Sequence, residues 1–210
     1  SCVPKDWPKL HQQRESQVKP ARSTWDSWYL VGYNEKITVA RLLLPQTNTN
    51  VLSAAAVLQF WFEDCRPWQW FRQRDSFDAL INERFGVLVE MALNGGLGHW
   101  EQQPEQALAL VLLLDQFTRQ VFRGHQRAYE GDTRALQLSQ QALASGWIAA
   151  EPQRPRRQFW LMPMLHSEDR AIVEQAIPLL EHYADTATAD VARANLQELQ
   201  SHGHYRRRQR

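Results

Sequence analysis

The chain has 210 residues, enough for one domain with an extension and for a substantial buried core. Its longest apolar run, Ala107 to Leu114, has eight residues, far below the roughly 20 needed to cross a bilayer, so no membrane span is read. The net charge of +1 conceals an asymmetry. All four lysines fall in the first 36 residues, whereas from Val51 onward 17 Arg face 19 Asp or Glu. Without Arg206, Arg207, Arg208 and Arg210 that body stands at −6, a poor general surface for nucleic acid.

The start is polar and contains Pro4 and Pro8, so no secretory leader is read, and Ser1 in place of Met suggests that a native N-terminus is missing. Cys2 and Cys65 fit no ligand or redox spacing, which leaves a reduced, cytoplasmic setting as the default. Residues 1–50 carry scattered prolines and no sustained helical period, and they read as a poorly ordered polar extension. Within them Trp28 to Leu44 is compatible with a strand or a short helix, closed by Pro45 and Thr47-Asn48-Thr49-Asn50.

From Val51 the signals are helical. A first helix is predicted over Val51 to Phe62 with Ser53 as its cap. Asp75 is placed as an N-cap for a helix whose Phe77, Ile81, Phe85, Leu88 and Ala92 share one face, and Asn94-Gly95-Gly96 stops it. Pro104 opens the next, apolar all round from Ala107 to Leu114 and therefore expected at the centre. Asp132 is read as the cap of a helix ending at Gly146, and Ser167 as the cap of one reaching Ala184 with a kink at Pro178. A last helix is predicted from Asp190 to Gln200, followed by a mobile basic tail over 202–210. The pattern predicts an all-α domain over 51–201, built of stacked antiparallel helix pairs. No exact repeat of ~34 residues is visible.

Several segments together resemble one known family, domain of unknown function 924. They are Val57-Leu58-Gln59-Phe60-Trp61-Phe62, Trp70-Phe71, Asp75, Phe77-Asp78, Arg84-Phe85, Gly96-Leu97 and Trp100. The most specific run is Leu108 to Arg119, followed by Arg123-Gly124, then Asp132, Ala135, Gly146, Pro163 and His166-Ser167-Glu168-Asp169. The resemblance spans roughly 51–183 and implies a TPR-like α–α superhelix with no established activity. Thr118 stands where the family usually has Pro, and Gln120 where it has Asn. The family's usual Phe-Gly-Arg-Phe-Pro-His-Arg-Asn ending is absent, so a truncated or altered C-terminus, and with it an incomplete pocket, is expected.

Two polar clusters stand out. Asp115 directly follows the buried apolar run, where a carboxylate needs a partner, and Arg119 lies one turn later on the same face. They read either as a clamp between helices, with Arg123 capping the helix C-terminus, or as an anion site, because a guanidinium fork matches carboxylate and phosphate. In His166-Ser167-Glu168-Asp169, helix capping explains all but His166, which is a candidate acid or base. Asp115 and Glu168 are candidates for a carboxylate pair. The tryptophans read as core packing, His202 and His204 as no metal site, and no cofactor fingerprint is present.

The favoured function is a binding module for a peptide or small anionic ligand, with Arg119, Arg123 and His166 as ligand-binding candidates. A hydrolase using His166, Glu168 or Asp115 with Arg119 as anion anchor is the first alternative. RNA binding through Arg154, Arg156, Arg157 and the arginine tail is the second.

Overall fold

The computed structural model describes residues 52–208. The polar extension, its Trp28–Leu44 segment and Cys2 lie outside the described residues. Among the described residues every regular element is helical, so the domain is all-α.

Helix α1 (Ala54–Gln59) starts where expected, with Ser53 Oγ accepting from Ala56 N at 3.2 Å. It continues into a π-helical turn, Phe60–Asp64, and a single turn α2 (Pro67–Trp70). Trp70 Nε1 donates to the Trp61 carbonyl at 2.8 Å and ties the two together. Around them the aromatic residues pack as core. Trp61 meets Phe117 at 5.2 Å between ring centroids, and Trp70 meets Phe159 at 5.0 Å. Helix α3 (Asp75–Leu93) buries the predicted face, and Asn94 follows its last turn. Its N-cap is the extended Arg74; Asp75 is the first helical residue instead.

The central helix is α4 (Pro104–Val111). It passes through a second π-helical turn, Leu112–Phe117, into α5 (Thr118–Val121). Every residue from Ala107 to Leu114 is buried, as an all-round apolar helix requires. A π turn inserts one residue and so rotates the following face by about 100°. Beyond Leu114 that face changes from core to cleft.

Helices α6 (Asp132–Ala144) and α7 (Trp147–Ala150) lead to α8 (Arg154–His166), α9 (Arg170–Tyr183) and α10 (Thr186–His202). Helix α8 was not expected. Pro155 at its start and Pro163 inside it look like breakers, and Gln158 to His166 are all buried, which erases any amphipathic period. Helix α9 is capped by Asp169, whose Oδ1 accepts from Ala171 N, while Ser167 Oγ accepts from Asp169 N. It runs through Pro178 as one helix. Helix α10 begins at Thr186, four residues before Asp190, because Asp185 Oδ1 accepts from both Thr188 N and Thr188 Oγ1. Short turns make α8, α9 and α10 consecutive packed neighbours, consistent with the expected TPR-like stacking. Asn195 Nδ2 reaches across to the Leu165 carbonyl at 2.8 Å.

The tail is a correction. Tyr205 is fully buried, and its hydroxyl donates to the Leu165 and Ser167 carbonyls, at 3.1 and 2.8 Å. Residues 205–208 thus fold back over the C-terminal end of α8.

One glycine fixes how α6 meets the central helix. A Cβ on Gly131 would lie 2.3 Å from the Leu114 carbonyl oxygen, a backbone atom with no freedom to yield. Its φ of −82° suits any residue, so the requirement is space alone. Gly131→Ala is therefore expected to destabilise the protein by about 1–3 kcal/mol. That corresponds to a fall of about 3–10 °C in Tm in a thermal melt; an unchanged melt would mean that α6 is free to shift.

Candidate functional site

The π-helical turn at 112–117 places Asp115 at the junction of α5, α6 and α8, with no exposed surface. Its carboxylate is bonded from several directions. Gln116 Nε2 donates to Oδ2 at 2.6 Å, and His166 Nδ1 lies 2.8 Å from Oδ1 and 3.0 Å from Oδ2. Arg119 Nη1 is 3.3 Å from Oδ1 and also donates to the Asp115 carbonyl. Arg119 in turn binds Asp132 at 2.9 Å. Asp132 is therefore not a cap; Gly131 holds that position, and the Asp132 side chain joins the ion-pair network.

The tail completes the network. Arg208 Nη2 is 2.7 Å from Asp132 Oδ2 and donates to the His166 carbonyl at 2.6 Å, and its guanidinium lies 4.7 Å from the Tyr129 ring centroid. Gln126 Nε2 holds the Arg208 carbonyl at 2.6 Å. Nothing in the sequence distinguished this arginine from its neighbours.

The electrostatics follow from the geometry. Burial opposes ionisation of Asp115, but the His166 and Arg119 charges and the bonds from His166 and Gln116 outweigh it. Its carboxyl is held well below the usual carboxylate range. For His166, burial is the largest influence and lowers its pKa; Arg119 and Arg207 act the same way, against the pull of Asp115. The two tendencies conflict only if Asp115 needs a charged imidazole. With the imidazole neutral, Asp115 keeps the Arg119 charge and the hydrogen bonds from Gln116 and His166 Nδ1. The state that satisfies both is an ionised Asp115 beside a neutral His166 with its proton on Nδ1, since a carboxylate can only accept. The basic nitrogen is then Nε2.

His166 and Arg119 both line one open cleft of about 1250 Å³. Arginines reach it from separate stretches of chain: Arg72 and Arg74 before α3, Arg119 on the central helix and Arg123 in the turn after it, and Arg206 and Arg207 in the tail. Only Asp75 and Glu198 bring carboxylates to its lining. Gln116, Arg119, Gln120 and Arg123 all face it, a polar stripe at spacings of three, four and seven residues. That spacing was readable in the sequence, yet neither glutamine was read as a site residue.

The other candidates are placed differently. Arg123 caps nothing; its Nη2 donates to Asp78 Oδ1 at 2.9 Å and its Nε to Oδ2, bridging to α3. Glu168 does not share the Asp115 network's core. It accepts from Tyr205 N at 2.9 Å and lies 4.0 Å from Arg208. In the Arg154, Arg156, Arg157 cluster, Arg156 pairs with Glu105 and Glu151, and Arg157 donates to the Tyr183, Glu151 and Pro152 carbonyls. Among the described residues no group of three or more His, Cys, Asp or Glu is placed to hold a metal ion, and no helix is long and apolar enough to cross a membrane.

This helical chain falls in an established family. Residues 57–209 match the model for bacterial proteins of unknown function DUF924, and the chain belongs to that family. The match carries the resemblance past 183 and through the docked tail. A protein of unknown function from Agrobacterium tumefaciens has a similar solved structure, with a TM-score of 0.67 and 30% identity over 72% of this chain and 85% of the other. A search of curated proteins found no match.

Removing one charge of a buried pair leaves the other uncompensated. Asp115→Asn is expected to cost about 3–5 kcal/mol, a drop in Tm on the order of 10 °C. A variant melting at or above the parent would show that the fold does not need the charge. Because His166 is held neutral in the fold, the unfolded chain takes up its proton first as pH falls. Stability from this group is complete above the unfolded histidine value of about 6.5 and is lost below it. Melts between pH 7.5 and 5 are expected to fall in the parent and to fall less in His166→Gln.

Proposed function

We propose that this protein is a binding module for a small anionic ligand, held in the cleft between the central helix, α8 and the docked tail. The observation that carries it is the gathering of arginines from separate stretches of chain around one cavity, in a body whose overall charge is negative. Arginine is the side chain suited to partly desolvated carboxylate and phosphate groups. The cavity is larger than an inorganic anion needs and lies in the range of metabolite pockets or above it. Arg119 is held at the cleft wall by Asp115 and Asp132, so its position there is already ordered.

A hydrolytic role for His166 is favoured by one further observation, its 2.8 Å contact with Asp115. A carboxylate that fixes the tautomer of a histidine lining a cleft is the arrangement used by general bases. RNA binding has less support, since Arg156, Arg157 and Arg208 are occupied by contacts within the fold.

Melting in phosphate, citrate or acetate, against chloride at equal ionic strength, separates these cases. A saturable rise in Tm is expected for at least one anion. At a hundred times Kd the stabilisation is about 2.7 kcal/mol, or about 5–10 °C. No shift with any of them would contradict anion binding. Release of nitrophenol from 4-nitrophenyl phosphate, lost in His166→Gln, would carry the catalytic role; binding without turnover would leave the module.

A further inference from the structure

The groove that holds the tail is rich in acceptors. Helix α8 ends at His166, and its last carbonyls lack donors within the helix, at the negative end of its dipole. Tyr205 Oη donates to the Leu165 and Ser167 carbonyls at 3.1 and 2.8 Å, and Arg208 Nη2 to the His166 carbonyl at 2.6 Å. Carboxylates complete the groove: Glu168 accepts from Tyr205 N, Glu198 from Arg206 N, and Asp132 pairs with Arg208. The Arg208 guanidinium lies 4.7 and 5.3 Å from the Tyr129 and Tyr205 ring centroids, within the reach of cation–π attraction.

Two observations set this contact apart from ordinary packing. First, the walls of the groove have supports of their own. Asn195 bonds the Leu165 carbonyl, Arg119 pairs with Asp132, and Asp169 caps α9. Helix α10 likewise closes before the tail begins, with Gly203 N donating to the Leu199 carbonyl at 2.8 Å. Second, the tail meets the groove through a self-contained motif. Arg208 N donates to the Tyr205 carbonyl at 3.0 Å, and this single turn sets the buried tyrosine and the arginine against the groove together. An aromatic anchor filling a pocket beside a paired arginine is the combination that dominates recognition at protein interfaces.

We infer that this groove is an interaction surface for a partner protein's basic segment with a tyrosine and an arginine three residues apart, and that the chain's own tail occupies it in the free protein. The charges are complementary: the groove offers carbonyls and carboxylates, and the segment offers a hydroxyl, backbone N–H groups and guanidinium. The inference does not depend on the anion reading of the cleft. Arg206 and Arg207 line that cleft, so a partner that displaces the tail also displaces part of the cleft wall.

Fluorescence anisotropy with a labelled peptide of residues 203–210 tests it, titrated with the full chain carrying Tyr205→Ala, whose own tail has lost its anchor. That variant is expected to bind the peptide at least about tenfold more tightly than the parent, whose tail competes at an effective concentration on the order of millimolar. Tyr205→Ala in the peptide should weaken binding about thirtyfold. Arg208→Lys in the peptide should weaken it about tenfold, because an ammonium lacks the planar fork that stacks and pairs. Arg208→Ala in the chain takes the place of Tyr205→Ala if that variant does not melt cooperatively. No binding to either variant, equal binding to variant and parent, or equal binding of a scrambled peptide of the same composition overturns the inference. A parent that dimerises with rising concentration, and a Tyr205→Ala chain that does not, would assign the groove to a second copy and overturn the partner.

Discussion

A carboxylate with no exposed surface sits at the end of an eight-residue apolar run, and the fold around it is arranged to keep it ionised. Transferring such a charge out of water is costly by several kcal/mol unless opposite charge and donors surround it. Asp115 obtains these from its own helix, through Gln116 and Arg119, and from α8, through His166. Arg119 is then itself a buried charge and is matched by Asp132 at the start of α6. Asp132 is matched by Arg208 of the tail, and Arg208 returns to the His166 carbonyl. The chain of requirements closes on itself and joins the central helix, α6, α8 and the tail. The π-helical turn that presents Asp115 and the glycine that lets α6 approach Leu114 both serve this closure.

A buried ion pair is weak evidence for stability alone, because apolar residues of similar volume often serve as well. What it does supply here is orientation. Asp115 fixes the tautomer and ring plane of His166, and Asp115 and Asp132 together fix the Arg119 fork, all at the floor of one cleft. π-Helical turns inside longer helices are frequent at functional sites for the same reason: they re-aim side chains that a regular helix would point elsewhere. Binding and structure therefore draw on the same residues.

Much of the architecture was legible in the sequence because it depends on local periodicity. The faces of α3 and the all-round burial of α4 follow from the spacing of Phe77, Ile81 and Phe85 and from the unbroken run Ala107 to Leu114. The pairing of Asp115 with Arg119 followed from one-turn spacing, and the gathering of His166 with them did not, since 51 residues separate His166 from Asp115. Helix α8 was invisible because burial on all sides leaves no period and two prolines imitate turns. The tail was misread because four arginines resemble a solvated end. Tyr205, a large side chain among them, was the available signal of docking. These caps were displaced by one or two residues, because Asp75 and Asp132 stand directly after the true N-cap and Ser167 stands two residues before it.

The most direct test of this charge arrangement is the protonation state of one imidazole. Heteronuclear NMR of the histidine ring nitrogens at pH 7 is expected to find His166 neutral, with its proton on Nδ1 and Nε2 unprotonated, and to find it titrating below the free histidine range. A doubly protonated His166 at pH 7, or a proton on Nε2, would contradict an ionised Asp115 holding a neutral histidine at the floor of the cleft.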